Sequence, residues 1–69
     1  MKENTKNEIR KDMDDVIKTT REMRDYLLDE SVSLEEKTSK LKVLKTALEG
    51  NKNIVSASVV KVNIENFSL

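Results

Sequence analysis

The chain has a single glycine, Gly50, and no proline in 69 residues. Nothing before Gly50 therefore breaks a helical backbone by removing a donor or by adding chain entropy. The apolar residues between Glu8 and Leu28 take up that freedom: Ile9, Met13, Val16, Met23 and Leu27 are spaced by four, three, seven and four, with Thr20 inside the seven. This is a heptad seam, the pattern of a helix packed along one stripe. Ile17 and Tyr26 widen the stripe, and Asp14 with Lys18, Lys11 with Asp15 and Arg21 with Asp25 place opposite charges four apart on the outer faces. A first helix over about 6–29 is expected.

The stretch "DESVSLEEK" interrupts it. Ser33 followed by Glu36 is a capping box, in which the serine oxygen takes an orphan N–H of a new helix and the glutamate reaches back. The second helix is expected over about 34–49, with Leu34, Leu41, Leu44 and Leu48 as its stripe. Glu35 and Glu36 near its start and Lys42 and Lys45 further along suit the helix dipole, and Gly50 is its expected C-terminal cap.

The segment "NKNIVSASVVKVNIENF" is ambiguous by composition. Val59, Val60, Val62 and Ile64 are β-branched, and Val60 to Glu65 alternates apolar with polar, as in a strand. A lone strand leaves its backbone groups unanswered, so it would have to pair with another molecule. Read instead as a helix capped by Asn51 or Asn53, the segment has Val55, Val59 and Val62 on one face and Ala57, Val60, Ile64 and Phe67 on the opposite one. The helix, over about 53–66, is the preferred reading and the intermolecular strand the alternative. In both, so short a chain cannot cover the segment, which is expected at a subunit or partner interface; the helix reading buries Val59 and Val62 there and leaves Lys61 and Glu65 in solvent, whereas the strand reading puts Val60, Val62 and Ile64 on one face with Val59 opposite. The expected fold is all-α: a helical hairpin with a third apolar segment, one small domain over residues 1–69, assembled as an oligomeric bundle.

Size and composition support assembly. A chain of this length buries only about 60% of its unfolded surface and commonly needs disulfides, a metal or another subunit. Cysteine and histidine are both absent, which removes disulfides and the usual zinc sets. Lys plus Arg and Asp plus Glu both number 13, so no net field draws the chain to phosphate backbones or anionic lipid, and a nucleic-acid partner is disfavoured. The beginning "MKENTKNEIRKDMDD" has no apolar signal-type core and no run reaches membrane-spanning length, which points to a cytoplasm and to no membrane partner.

No chemistry stands out. Glu8, Asp12 and Asp15 lie a turn apart, but without a glycine-containing loop or a fourth ligand they read as a solvated acidic face balanced by Arg10, Lys11 and Lys18, and no metal or other cofactor is expected. Lys37, Lys40, Lys42 and Lys45 divide between two sides of a helix among Glu35, Glu36 and Glu49, without the aromatics or arginines of a nucleic-acid surface. With no His or Cys and one tyrosine, no nucleophile and base pair can be assembled, and an enzyme is not expected.

The residues "MRDYLLDESVSLEEKTSKLKVLKTAL" followed by "NKNIVSASVVKVNIENF", positions 22–67, resemble in pattern the small helical proteins encoded by bacteriophages and prophages. Gly50 and the asparagines around it depart from that pattern, whose second helical stretch is continuous there. The resemblance carries over no catalytic or ligand residue. It implies stoichiometric binding of a host or phage protein, as an inhibitor, an anti-defence factor or an adaptor, by a preformed homo-oligomer. A nucleic-acid-binding regulator of transcription or packaging is the alternative. The residues expected at the oligomer or partner interface are Ile9, Met13, Val16, Thr20, Met23, Leu27, Val55, Val59, Val62 and Phe67. Thr20 is the mildly polar position that would set register.

Overall fold

The computed structural model describes residues 1–68, Ser68 by its backbone only. The described residues form three helices and no strand: α1 Glu3–Leu28, α2 Leu34–Ser39 and α3 Leu41–Ser68. The helical reading of the C-terminal segment is the one the backbone adopts.

α1 begins at extended Lys2, whose carbonyl accepts the Lys6 N–H at 3.1 Å, with Glu3 placed favourably for the dipole in the first turn. Along it the closed ion pairs among the described residues are Lys6–Glu3 at 3.9 Å and Arg24–Asp25 at 2.8 Å, not the four-apart pairs expected from the sequence. Such exposed pairs contribute little in either arrangement. α1 stops where the Asp29 N–H bonds the Tyr26 carbonyl at 3.2 Å. Asp29 then builds the turn: its Oδ1 accepts the Ser31 N–H at 2.9 Å and the Ser31 hydroxyl at 2.6 Å. Ser33 starts α2 as expected, its Oγ accepting the Glu36 N–H at 3.1 Å.

The expected helix over 34–49 is corrected twice. It is broken near its start, at Lys40, whose φ of −93° and ψ of 3° lie off the helix. At the break the Thr38 hydroxyl donates to the Leu34 carbonyl at 2.8 Å and the Ser39 hydroxyl to the Glu36 carbonyl at 2.7 Å, bonds that compete with the backbone ladder, although the same bond from Thr19, Thr20 and Thr46 leaves α1 and α3 unbroken. Gly50, in turn, caps nothing. α3 runs through it without a positive φ, so the second and third expected segments are one helix of 28 residues. An interior glycine costs about 1 kcal/mol against alanine, too little to end a helix whose next residue, Asn51, is held against α1.

α1 and α3 pack antiparallel, since partners on α3 descend as α1 is followed upward: Lys2 with Glu65, Asp12 with Ser58 and Lys61, Thr20 with Asn51. The shielded positions define the seam. On α1 these are Thr5, Ile9, Asp12, Val16, Thr19, Met23 and Tyr26, with Met13 half-buried beside them; on α3 they are Leu44, Ala47, Asn51, Ile54, Ser58, Lys61 and Glu65. Both rows alternate steps of three and four, so each helix contributes a heptad stripe. No apolar residue among those described is buried; Asn51, Ser58 and Glu65 are, at 7%, 5% and 8% exposure. The result is a rod, 52 × 17 × 10 Å, whose radius of gyration of 16.0 Å exceeds the roughly 11 Å of a compact domain of this length.

Candidate interaction surface

The inner face of α3 is where the chain spends its polar groups. Lys61 reaches across the seam to Asp12 Oδ2 at 2.8 Å and to Glu8 Oε2 at 3.7 Å, and the Ser58 hydroxyl donates to the same Asp12 oxygen at 3.2 Å. The hydrogen bond from Lys61 holds the Asp12 carboxyl below the usual carboxylate range, and the Asp12 partner raises Lys61 above the usual lysine value. One end of the seam is closed by Glu65, whose Oε1 accepts the Lys2 backbone N–H. Its Oε2 is buried without a hydrogen-bond partner, as is the Tyr26 hydroxyl near the other end. Desolvation, followed by the charge of Glu36, lifts the Tyr26 phenol. Midway, the Asn51 amide donates to Thr20 Oγ1 at 3.3 Å, and Thr20 donates onward to the Val16 carbonyl at 2.8 Å.

This arrangement overturns one expectation. Lys61 and Glu65 do not face solvent: Lys61 is half-buried in its ion pair and Glu65 is buried. Of the acidic residues Glu8, Asp12 and Asp15, the first two are ion-paired with Lys61 from the opposite helix. Among the described residues no group of acidic side chains is placed to hold a metal ion.

Apart from Leu44, Ala47 and Ile54, which are half-buried in the seam, the apolar residues of α3 lie outside it in two flanks. The first carries Leu48, Val55 and Val62, spaced by seven and 61%, 41% and 41% exposed, with Val59 beside them. Its α1 counterpart is the row Lys6, Met13, Thr20 and Leu27; Val62 shares a cleft with Lys6, Ile9 and Arg10, and Thr20 meets Asn51. The second flank carries Val43, Ala57 and Ile64, with Val60 and Phe67 further out. Its α1 counterpart is the acidic row Glu8, Asp15 and Glu22: Ile64 shares a cleft with Glu8, and Val43 one with Glu22, Met23 and Tyr26.

The residues expected at an interface thus divide three ways. Ile9, Val16 and Met23 are half-buried in the seam within the chain. Met13, Thr20, Leu27, Val55, Val59 and Val62 lie on or beside the first flank, Met13 half-buried and the others exposed. Phe67, 89% exposed, belongs to the second. The seam residues not singled out from the sequence are Thr5, Asp12 and Thr19 of α1 and Ala47, Asn51, Ile54, Ser58, Lys61 and Glu65 of α3. For the α3 set a signal was available, because it continues the three-and-four spacing from Leu44.

Among the described residues no helix is long and apolar enough to cross a membrane. Comparison with known proteins returns no match to a family model, a curated protein or a solved structure.

Proposed function

We propose that the protein works by stoichiometric binding to other protein chains, beginning with copies of itself. The observation that carries this reading is the inversion of α3: its buried side chains are polar, while Leu48, Val55, Val59, Val60, Val62, Ile64 and Phe67 are all exposed. A helix with apolar residues on two sides is one that expects cover on both. Val55, Val59, Val60 and Val62 also have below-average helix propensity and are exposed outside the seam. Cover from other chains supplies what the single chain does not.

The pattern resemblance over residues 22–67 supports an inhibitor or adaptor role of phage type acting in the host cytoplasm, and it is the sole support for that setting. Light scattering on the purified protein at micromolar concentration tests the first requirement of this reading. A particle mass that is a multiple of 7.9 kDa is expected; a folded particle of 7.9 kDa contradicts it.

A further inference from the structure

We infer that two hairpins associate through the first flank, Met13, Thr20 and Leu27 of α1 with Leu48, Val55 and Val62 of α3, to form a two-fold four-helix bundle that leaves the second flank outside. This rests on the reading above that the chain binds copies of itself, and adds which face does so.

The surface area argues for a partner of this size. The hairpin exposes 5728 Å², whereas a compact monomer of its mass would expose roughly 4,400 Å². The excess is of the order that one partner loses in a standard interface, about 800 Å², or somewhat more. A second elongated hairpin laid along the first can remove it, because rows repeating every seven residues pack along their length against rows of the same period.

The choice of flank follows from charge. A two-fold interface brings each patch against its own copy. Through the second flank, that symmetry would enclose two rows of Glu8, Asp15 and Glu22, of which Glu8 alone has an ion-pair partner, Lys61, among the described residues, and carboxylates taken out of water without a partner are costly. On the first flank the corresponding α1 row has one charged residue, Lys6, at its end. The rim of this flank is basic: Arg10, Lys45 and Lys52 are all exposed. Like charges on a wet rim are screened within a Debye length of roughly 8–10 Å, so association is expected to tighten as salt rises. An acidic partner helix on the same flank would show the opposite dependence.

The test is sedimentation equilibrium of the full chain, of Val55→Asp and of Val60→Asp, at low and at moderate salt. Val55 lies near the middle of the first flank and Val60 on the outer side of the second, and neither is buried in the hairpin. The inference predicts a wild-type dimer that tightens with salt, a dimer constant weakened at least a hundredfold in Val55→Asp, and a Val60→Asp dimer within a few-fold of wild type. A wild-type dimer disrupted by Val60→Asp and not by Val55→Asp would overturn the choice of flank while keeping self-association; a monomeric, folded wild type would overturn both. Should Val55→Asp unfold, Val55→Cys and Val60→Cys decide instead, since the chain has no cysteine of its own. Slow maleimide labelling at position 55 with fast labelling at 60 supports the inference, and equal or reversed rates overturn it.

Discussion

The two sides of α3 obey opposite rules. Toward α1 it presents, interleaved with Leu44, Ala47 and Ile54, the polar residues Asn51, Ser58, Lys61 and Glu65, which meet hydrogen-bonding or charged groups and include every buried residue among those described; away from α1 it presents Val55, Val59, Val60, Val62 and Ile64. In a self-sufficient domain those assignments are reversed, because burying apolar surface is the main source of stability. Here the seam fixes which way the hairpin closes and in what register, while the apolar surface is left exposed. Under the proposed function another chain covers that surface, and the specificity of the fold and its stability then reside on different faces of one helix.

The largest expected effect comes from breaking the outer side. Val59→Asp places a carboxylate in the proposed apolar contact and should cost association or stability ~3 kcal/mol or more, read as a loss of oligomer and of melting temperature. Lys61→Asp attacks the inner side. It sets a third carboxylate against Asp12 and Glu8, and should lower the melting temperature more than Lys61→Met does, with the exchange Asp12→Lys in the same chain recovering part of the loss. If Lys61→Asp is silent, the seam does not set the register of the hairpin.

How far this division could be read in the letters depends on which groups the residues needed. The helical class, the turn at "DESVS" and the Ser33 cap rest on local chemistry, and each is found in place. The α1 seam was read by hydrophobicity, which chose Met13, Thr20 and Leu27; the folded seam turns by one position at each, to Asp12, Thr19 and Tyr26. Asp12 qualifies as a seam residue only because Lys61 and Ser58 come to meet it from a helix nearly fifty residues away, and nothing local announces that. Gly50 misled for the related reason that a glycine marks a helix end only where no tertiary contact carries the helix onward.

Smaller changes sharpen the same contrast. Ser33→Ala removes the cap of α2, outside both faces, and should cost about 1 kcal/mol in thermal or urea unfolding without altering assembly. Gly50→Ala should stabilise by about 0.5–1 kcal/mol, because an added Cβ meets no atom within 4 Å in the hairpin. Gly50 lies on the second flank, so a loss of association in this variant would mean that another chain approaches closely there.

The pH dependence follows from the signs of the two shifts. Asp12, with its folded value lowered, contributes stability above about pH 4 that is lost as pH falls through that lowered value. Lys61, with its folded value raised, contributes below about pH 10 and loses that contribution as pH rises through the raised value. The stability difference between wild type and the double variant Asp12→Asn, Lys61→Met should therefore be flat from about pH 5 to pH 9 and shrink outside it.

The most direct test of the central claim, that the apolar side of α3 is covered by another chain and that folding draws on that cover, is the melting of helical circular dichroism over a hundredfold range of protein concentration. Binding linked to folding makes the midpoint depend on concentration. The account predicts a midpoint that rises steadily with concentration, together with a loss of helix at the dilute end. A midpoint unchanged over that range, with full helicity in the dilute samples, would show that the hairpin is stable alone and would contradict it.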